Sequence, residues 1–287
     1  MSYKILKKLE IAPNEYDIWI EAPQIAKRAK AGQFVIVMAD EHSERIPLTI
    51  ADSDKTQAIR VIYQVVGTST QKLAQLKEND SITSLAGPLG KPSEIPEGKK
   101  ALVIGGGVGI AAILTIVKTL KEKKNHIICI LGSRNEQNLI LNDEISEIAD
   151  ETLIYTDDGS LGKKGLVTDG MNELFERGEQ FDAAWAVGPT IMMKYCSLVA
   201  KKHGLLIWTS LNPIMIDGTG MCGGCRVKVG EEIKYACVDG PEFDGRHVDW
   251  ETLINRKSQY EKEEEASKHL CRLEGAIKPS KSEGKQL

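Results

Sequence analysis

No apolar run in this 287-residue chain approaches the roughly 20 residues needed to cross a bilayer, so no membrane-spanning helix is expected. Met1–Glu10 has no apolar h-region, which argues against a secretory signal peptide. Charge of one sign is also missing. The 37 Lys and Arg nearly balance 41 Asp and Glu, and a net charge of −4 offers nothing to draw in nucleic acid or an anionic membrane. Cysteine is sparse, and Cys129, Cys196 and Cys271 are scattered. A reducing cytoplasm fits this better than a disulfide framework. Cys129 and Cys196 sit in apolar segments and read as core packing. His247 and His269 have no ligand spacing to the other cysteines and read as solvated surface. No internal repeat is present.

What remains is a soluble chain long enough for two domains and a small appendage. Residues 1–97 carry short runs rich in Val, Ile, Tyr and Thr at 3–10, 16–21, 32–38, 59–66 and 81–86, punctuated by turn residues. They predict a small β-barrel or sandwich, with one helix over 69–76. Pro92, Pro96 and Gly98 mark a boundary. Over 98–210 the rhythm becomes strand–helix alternation, with strands at 101–104, 127–131, 152–156, 183–187 and 205–210. Helices are expected at 110–121, 142–149, 167–177 and 191–202. This predicts an α/β domain with a parallel sheet. Residues 211–245 form a cysteine segment and 246–287 a helical tail. Its acidic run, 261–265, reads as a solvated helix face, and its end as mobile.

The chemistry concentrates in three places. Ile104-Gly-Gly-Gly-Val-Gly109-Ile110 lies at a strand-to-helix turn, where backbone can approach a pyrophosphate and a helix N-terminus offers free N–H groups. Ile110 occupies the last glycine position of the usual fingerprint. A second turn, Gly188-Pro189, ends a later strand of the same sheet. Arg45-Ile-Pro47-Leu48-Thr49 and Gly67-Thr68-Ser69-Thr70 in the first half would suit a diphosphate; a surface arginine and a capped helix explain them equally well. The third place is Asp217-Gly-Thr-Gly-Met-Cys222-Gly-Gly-Cys225, with Cys237 eleven residues on. Zinc could take three thiolates and a carboxylate. The spacing nonetheless favours a [2Fe–2S] cluster, since it follows the plant-type Cys-x4-Cys-x2-Cys pattern with Asp217 in the first position.

These residues, in this order over about 1–250, resemble the ferredoxin-reductase-like flavoproteins, especially the electron-transfer subunits of dihydroorotate dehydrogenase B. Ala31–Phe34, Gly87–Gly90 and Thr156–Ser160 add to the likeness. The resemblance implies that 1–97 binds FAD, 98–210 binds a nicotinamide dinucleotide and 211–245 holds the cluster. For FAD it implies Arg45, Pro47, Leu48, Tyr63 and Val65, with Gly67, Thr68, Ser69 and Thr70 at the pyrophosphate. Thr49 would lie near the flavin ring as the catalytic side chain. For the dinucleotide it implies Gly106, Gly107, Gly109 and Ile110, then Ser133, Arg134, Asp157, Asp158, Gly188 and Pro189. Asp217, Cys222, Cys225 and Cys237 would bind the cluster.

In the dihydroorotate subunits a cysteine stands at Asp217 and a glutamate at Asn212. The string 210–225 is instead similar to a narrower subfamily, the small subunits of NADH-dependent reduced ferredoxin:NADP oxidoreductases. That likeness implies an electron-bifurcating complex, with a larger flavin and iron–sulfur subunit as partner and ferredoxin reached indirectly through it. It also implies NAD(H) at this subunit, although Arg134 after the second strand suits the 2′-phosphate of NADP(H). The subunit of a dihydroorotate dehydrogenase and a zinc-stabilised nucleotide-binding module are the competing readings.

Overall fold

The computed structural model describes residues 3–260 together with 263, 264 and 266. Glu263 and Glu264 are helical and exposed; the rest of the acidic run, His269, Cys271 and the tail lie outside the described residues.

Seven strands build the first sheet: β1 (Tyr3–Ala12), β2 (Glu15–Glu21), β3 (Phe34–Met38), β4 (Ile46–Ser53), β5 (Ala58–Gln64), β6 (Ser81–Ile82) and β7 (Ser84–Leu89). Their order is β6-β1-β2-β5-β4-β3-β7, all antiparallel. The edge strands β6 and β7 are separated in sequence by Thr83 alone, so the sheet curls until its edges meet, as a barrel requires. Alternation selects the inside: Ile18 and Ile20 of β2 join Ile5, Val35, Val37, Ile59, Val61 and Leu85 in one core. Two short helices, α1 (Pro23–Ala26) and α2 (Thr68–Gln75), complete this half.

The second sheet holds β8 (Lys100–Gly106), β9 (His126–Ser133), β10 (Glu151–Thr156), β11 (Lys163–Lys164), β12 (Ala183–Val187) and β13 (Ile207–Ser210). Its order is β11-β10-β9-β8-β12-β13-β16, parallel except for β16 (Glu242–Asp244), which runs antiparallel to β13. Helices α3 (Gly109–Glu122), α4 (Asn142–Ser146), α5 (Val167–Glu176) and α6 (Thr190–Lys202) cover it. Alternate residues of β8 go to opposite faces. Ala101 and Val103 pack with Ile113 and Val117 of α3, Leu102 and Ile104 with Met171, Leu174 and Ala200 of α5 and α6. Burial on both faces is why these strands read as unbroken apolar runs.

Between β13 and β16 the chain makes a small hairpin, β14 (Arg226–Val229) with β15 (Glu232–Tyr235), and the short helix α7 (Ala236–Asp239). After β16 comes α8 (Trp250–Lys257), capped by Asp249 through Thr252 N at 3.0 Å. The barrel plus parallel sheet plus C-terminal segment agrees with the expected architecture. Three details differ from expectation. The expected strand at 81–86 is two, because pairing switches partner from β1 to β3 at Thr83. Strand β4 forms where no strand was expected, and β16 joins a sheet it was not expected to enter.

Candidate functional site

Strand order fixes where a ligand can sit. From β8 the chain winds outward to β9 and β10, then returns to place β12 on the other side of β8. The crevice beyond the carboxyl ends of two such adjacent strands is the binding place of open α/β sheets. Here it opens onto the barrel, and the two halves enclose a cleft of about 910 Å³.

Gly106, Gly107 and Gly109 line the sheet side with unequal duties. A Cβ on Gly109 would fall 2.5 Å from Val187 O, so backbone packing against the β12–α6 turn demands that glycine, whereas one on Gly106 would meet only the movable end of Met192 at 2.2 Å. Gly107, at φ +53°, has open space beside it and faces the cleft, as do Gly106 and Gly109. Ile110 is fully buried in the α3 core, and its side chain does not reach the cleft. Ser133, Arg134, Asp157, Gly188 and Pro189 line the cleft. Asp158 does not; its carboxylate accepts from Ser160 N at 2.9 Å and Ser160 Oγ at 2.7 Å. Ser133 Oγ donates to Asn135 O. Arg134 and Asp157 have no ion-pair partner among the described residues.

On the barrel side Pro47, Leu48, Thr49, Tyr63, Val66 and Thr70 line the cleft. Arg45 stands exposed one residue before β4, and Val65, Gly67, Thr68 and Ser69 lie off the lining. The hydroxyls of α2 are committed locally. Thr70 Oγ1 accepts from Val66 N and Gly67 N at 3.0 Å, and Ser69 Oγ accepts from Glu44 N at 3.1 Å. Two buried polar atoms in the wall are unsatisfied, Tyr63 Oη and Glu15 Oε2. Burial raises both pKa values, so each group is protonated more readily than usual. Buried polar atoms normally have partners; Glu15 and Tyr63 are both residues of the cleft lining. Glu15 escaped sequence analysis because nothing in a strand residue's spacing reveals a missing partner.

The floor of the cleft is joined to the cysteine segment through the chain. Leu211, Asn212 and Met215 line it, and Asp217 follows two residues on. The Asp217 carboxylate accepts from Thr219 N, Thr219 Oγ1 and Cys222 N at 3.0–3.1 Å, and the Thr219 amide chiefly holds its pKa down to about 2. The four donors fall into two pairs: Cys222 Sγ lies 3.4 Å from Asp217 Oδ1, and Cys225 Sγ lies 3.2 Å from Cys237 Sγ. Two ligands for each of two irons is what a [2Fe–2S] cluster takes, and the donor set fits it. Cys129 and Cys196 are fully buried in the sheet domain, and His247 is exposed.

Comparison with known proteins accords with this layout. Residues 212–249 match the family model of the iron–sulfur cluster binding domain of dihydroorotate dehydrogenase B, and 103–197 match the oxidoreductase NAD-binding domain. A Thermotoga maritima protein, named a homologue of the dihydroorotate dehydrogenase B (NAD(+)) electron transfer subunit, is 52% identical over 92% of this chain and 93% of its own. The electron transfer subunit of dihydroorotate dehydrogenase B from Caldanaerobacter subterraneus is 35% identical over 86% and 98%. A chain of the solved NADH-dependent reduced ferredoxin–NADP oxidoreductase, studied for flavin-based electron bifurcation, superposes with a TM-score of 0.89 at 50% identity, covering 94% of this chain and 98% of its own.

Proposed function

The chain belongs to the family of dihydroorotate dehydrogenase B electron-transfer subunits, within the ferredoxin-reductase-like oxidoreductases, and from that premise we propose that it joins NAD(H) to a larger redox partner through FAD and a [2Fe–2S] cluster. One observation carries the reading. A cleft large enough for a flavin and a nicotinamide is lined by Leu211, Asn212 and Met215, and the chain continues from them directly into a loop bearing two pairs of candidate iron ligands.

When bound, flavin supplies exchange between hydride and single electrons, and the cluster supplies a one-electron relay. The protein's part is to bind, orient and exclude water. Pro47, Leu48 and Thr49 would form the flavin wall. Thr49, whose hydroxyl has no partner among the described residues, would stand at the ring, with Tyr63 in the wall behind it. Arg45 and the backbone of 67–70 would meet its phosphates. Gly107 and the start of α3 would take the dinucleotide phosphates, with Ser133, Arg134 and Asp157 around its adenosine end. Asp217 and Cys222 would hold one iron, Cys225 and Cys237 the other.

Two partners compete. The 50% identical bifurcating structure and Asp217 favour a larger flavin and iron–sulfur subunit, through which ferredoxin is reached. Relatives at 32–35% identity named dihydroorotate dehydrogenase electron transfer subunits favour a dihydroorotate-oxidising partner. Anaerobic purification from the native cell, with flavin, iron and zinc analysis, tests both levels. FAD and two irons per chain with a cluster-rich partner supports the first proposal. An FMN barrel partner supports the second. Zinc without flavin or iron would sink the redox reading altogether.

A further inference from the structure

Lys257, the last residue of α8, lies 45 positions beyond Asn212, yet the two meet. Its Nζ donates to Asn212 Oδ1 at 3.1 Å and to Thr190 Oγ1 at 2.9 Å, and Thr190 Oγ1 donates to the same Asn212 Oδ1 at 3.0 Å. The closed triangle also settles how the amide is turned. An ammonium can only donate, so the atom facing it must be the oxygen of Asn212 and not its nitrogen. Thr190 has one proton and gives it to the same oxygen, accepting from Lys257 in return.

The lysine is unusual in its company. It is half-buried, burial lowers its pKa, and only Glu264 opposes that, from beyond ion-pair range. A cation held in such a place is spent on two neutral side chains. Asn212 stands on the cleft wall, with Pro189, Ser210, Leu211 and Met215 beside it. With Oδ1 doubly engaged, its two Nδ2 hydrogens meet no protein acceptor among the described residues. Thr190 begins α6 immediately after the Gly188-Pro189 turn, so the triangle ties that turn, the cleft floor and α8 together. The neighbouring Arg256 donates to Gly224 O at 3.2 Å, which braces the cysteine loop from the same helix.

Resting on the functional reading above, the geometry points to Lys257 and Thr190 as positioning residues that aim the Asn212 amide N–H at a carbonyl oxygen of the ligand, the carboxamide of a nicotinamide ring. Neither lies within the 212–249 span matched to the iron–sulfur domain. The role uses Oδ1 as the anchored end and Nδ2 as the working end, a division only an amide can make.

The test is calorimetric titration of the oxidised, cofactor-loaded full-length protein with NAD+ and with ADP-ribose, which lacks the nicotinamide. Asn212→Asp keeps the oxygen that receives Lys257 and Thr190 but removes the donor. It should weaken NAD+ about tenfold while leaving ADP-ribose unchanged. Lys257→Met, which keeps the stem and loses the donors, should do the same, with Lys257→Arg falling between it and wild type. Unchanged NAD+ affinity in Asn212→Asp and Lys257→Met would overturn the inference, and so would equal weakening of both ligands. A wild type that binds neither ligand would overturn the functional reading and this inference with it.

Discussion

In the proposed ligand set Asp217 gives the cluster a carboxylate, where the resemblance to the dihydroorotate subunits implies a thiolate. A carboxylate gives less electron density to iron, so Asp217→Cys is expected to lower the reduction potential of the cluster. A redox titration followed by the cluster's electron paramagnetic resonance decides it, and a potential unchanged or raised would refute the account. Gly109 makes a second residue-scale case. Its Cβ would meet Val187 O at 2.5 Å and Gly188 Cα at 2.7 Å, all backbone, so no side chain can swing away. Gly109→Ala is therefore expected to cost about 1–3 kcal/mol and to push apart the two glycine turns of the cleft. Thermal midpoint and NAD+ affinity should fall together; retention of both would show that the β12–α6 turn yields freely.

Elements are held across the two halves by charge as well as by apolar packing. Arg60 of β5 bonds Asp17 of β2 at 2.9 Å and Glu144 of α4 at 2.8 Å, while Lys118 of α3 bonds Asp52 of β4 at 2.6 Å and the same Glu144 at 3.3 Å. The Arg60 and Asp17 side chains are only 11% exposed, so removing one leaves an uncompensated buried charge. Arg60→Met is expected to destabilise the protein by about 3 kcal/mol in urea unfolding, and most of that should be absent once Asp17→Asn is already in place. Additive losses in the double-mutant cycle would show that the pair is not coupled. The same α3 was legible beforehand, because its apolar spacing and the glycines before it are local. Parallel strands such as β9 and β12 were legible for the like reason. What escaped is what tertiary pairing decides. Strand β4 carries Pro47, which hides its strand character; β16 is three residues long and takes its strand character from β13. The pairing of Asp217 with Cys222 and of Cys225 with Cys237 follows from how the loop closes, and the Lys257–Asn212 contact spans 45 residues, so neither could be read along the chain.

At the scale of the molecule, Glu242 stands where its parts join. It belongs to β16, accepts from Ser93 Oγ of the interdomain linker at 2.6 Å, and neighbours Trp185 of β12. The residue as a whole is half-buried, but its Oε2 is closed to solvent and has no hydrogen-bond partner among the described residues. Desolvation raises its pKa from 4.5 to about 7; Glu94 adds to the rise, while Ser93 and Trp185 moderate it. Between those two values the folded chain keeps a proton that the unfolded chain releases, so unfolding becomes easier as pH rises through that window. The contribution is full below about pH 4.5, falls between about 4.5 and 7, and stays lost above. Glu242→Gln remains neutral at every pH and keeps an oxygen for Ser93. Its stability advantage over wild type should therefore be small at pH 5 and grow to roughly 3 kcal/mol by pH 8. Urea denaturation of both proteins across that range is the measurement. Curves that run parallel would mean that Glu242 titrates alike folded and unfolded, and that the seam between barrel, sheet and cysteine segment admits water.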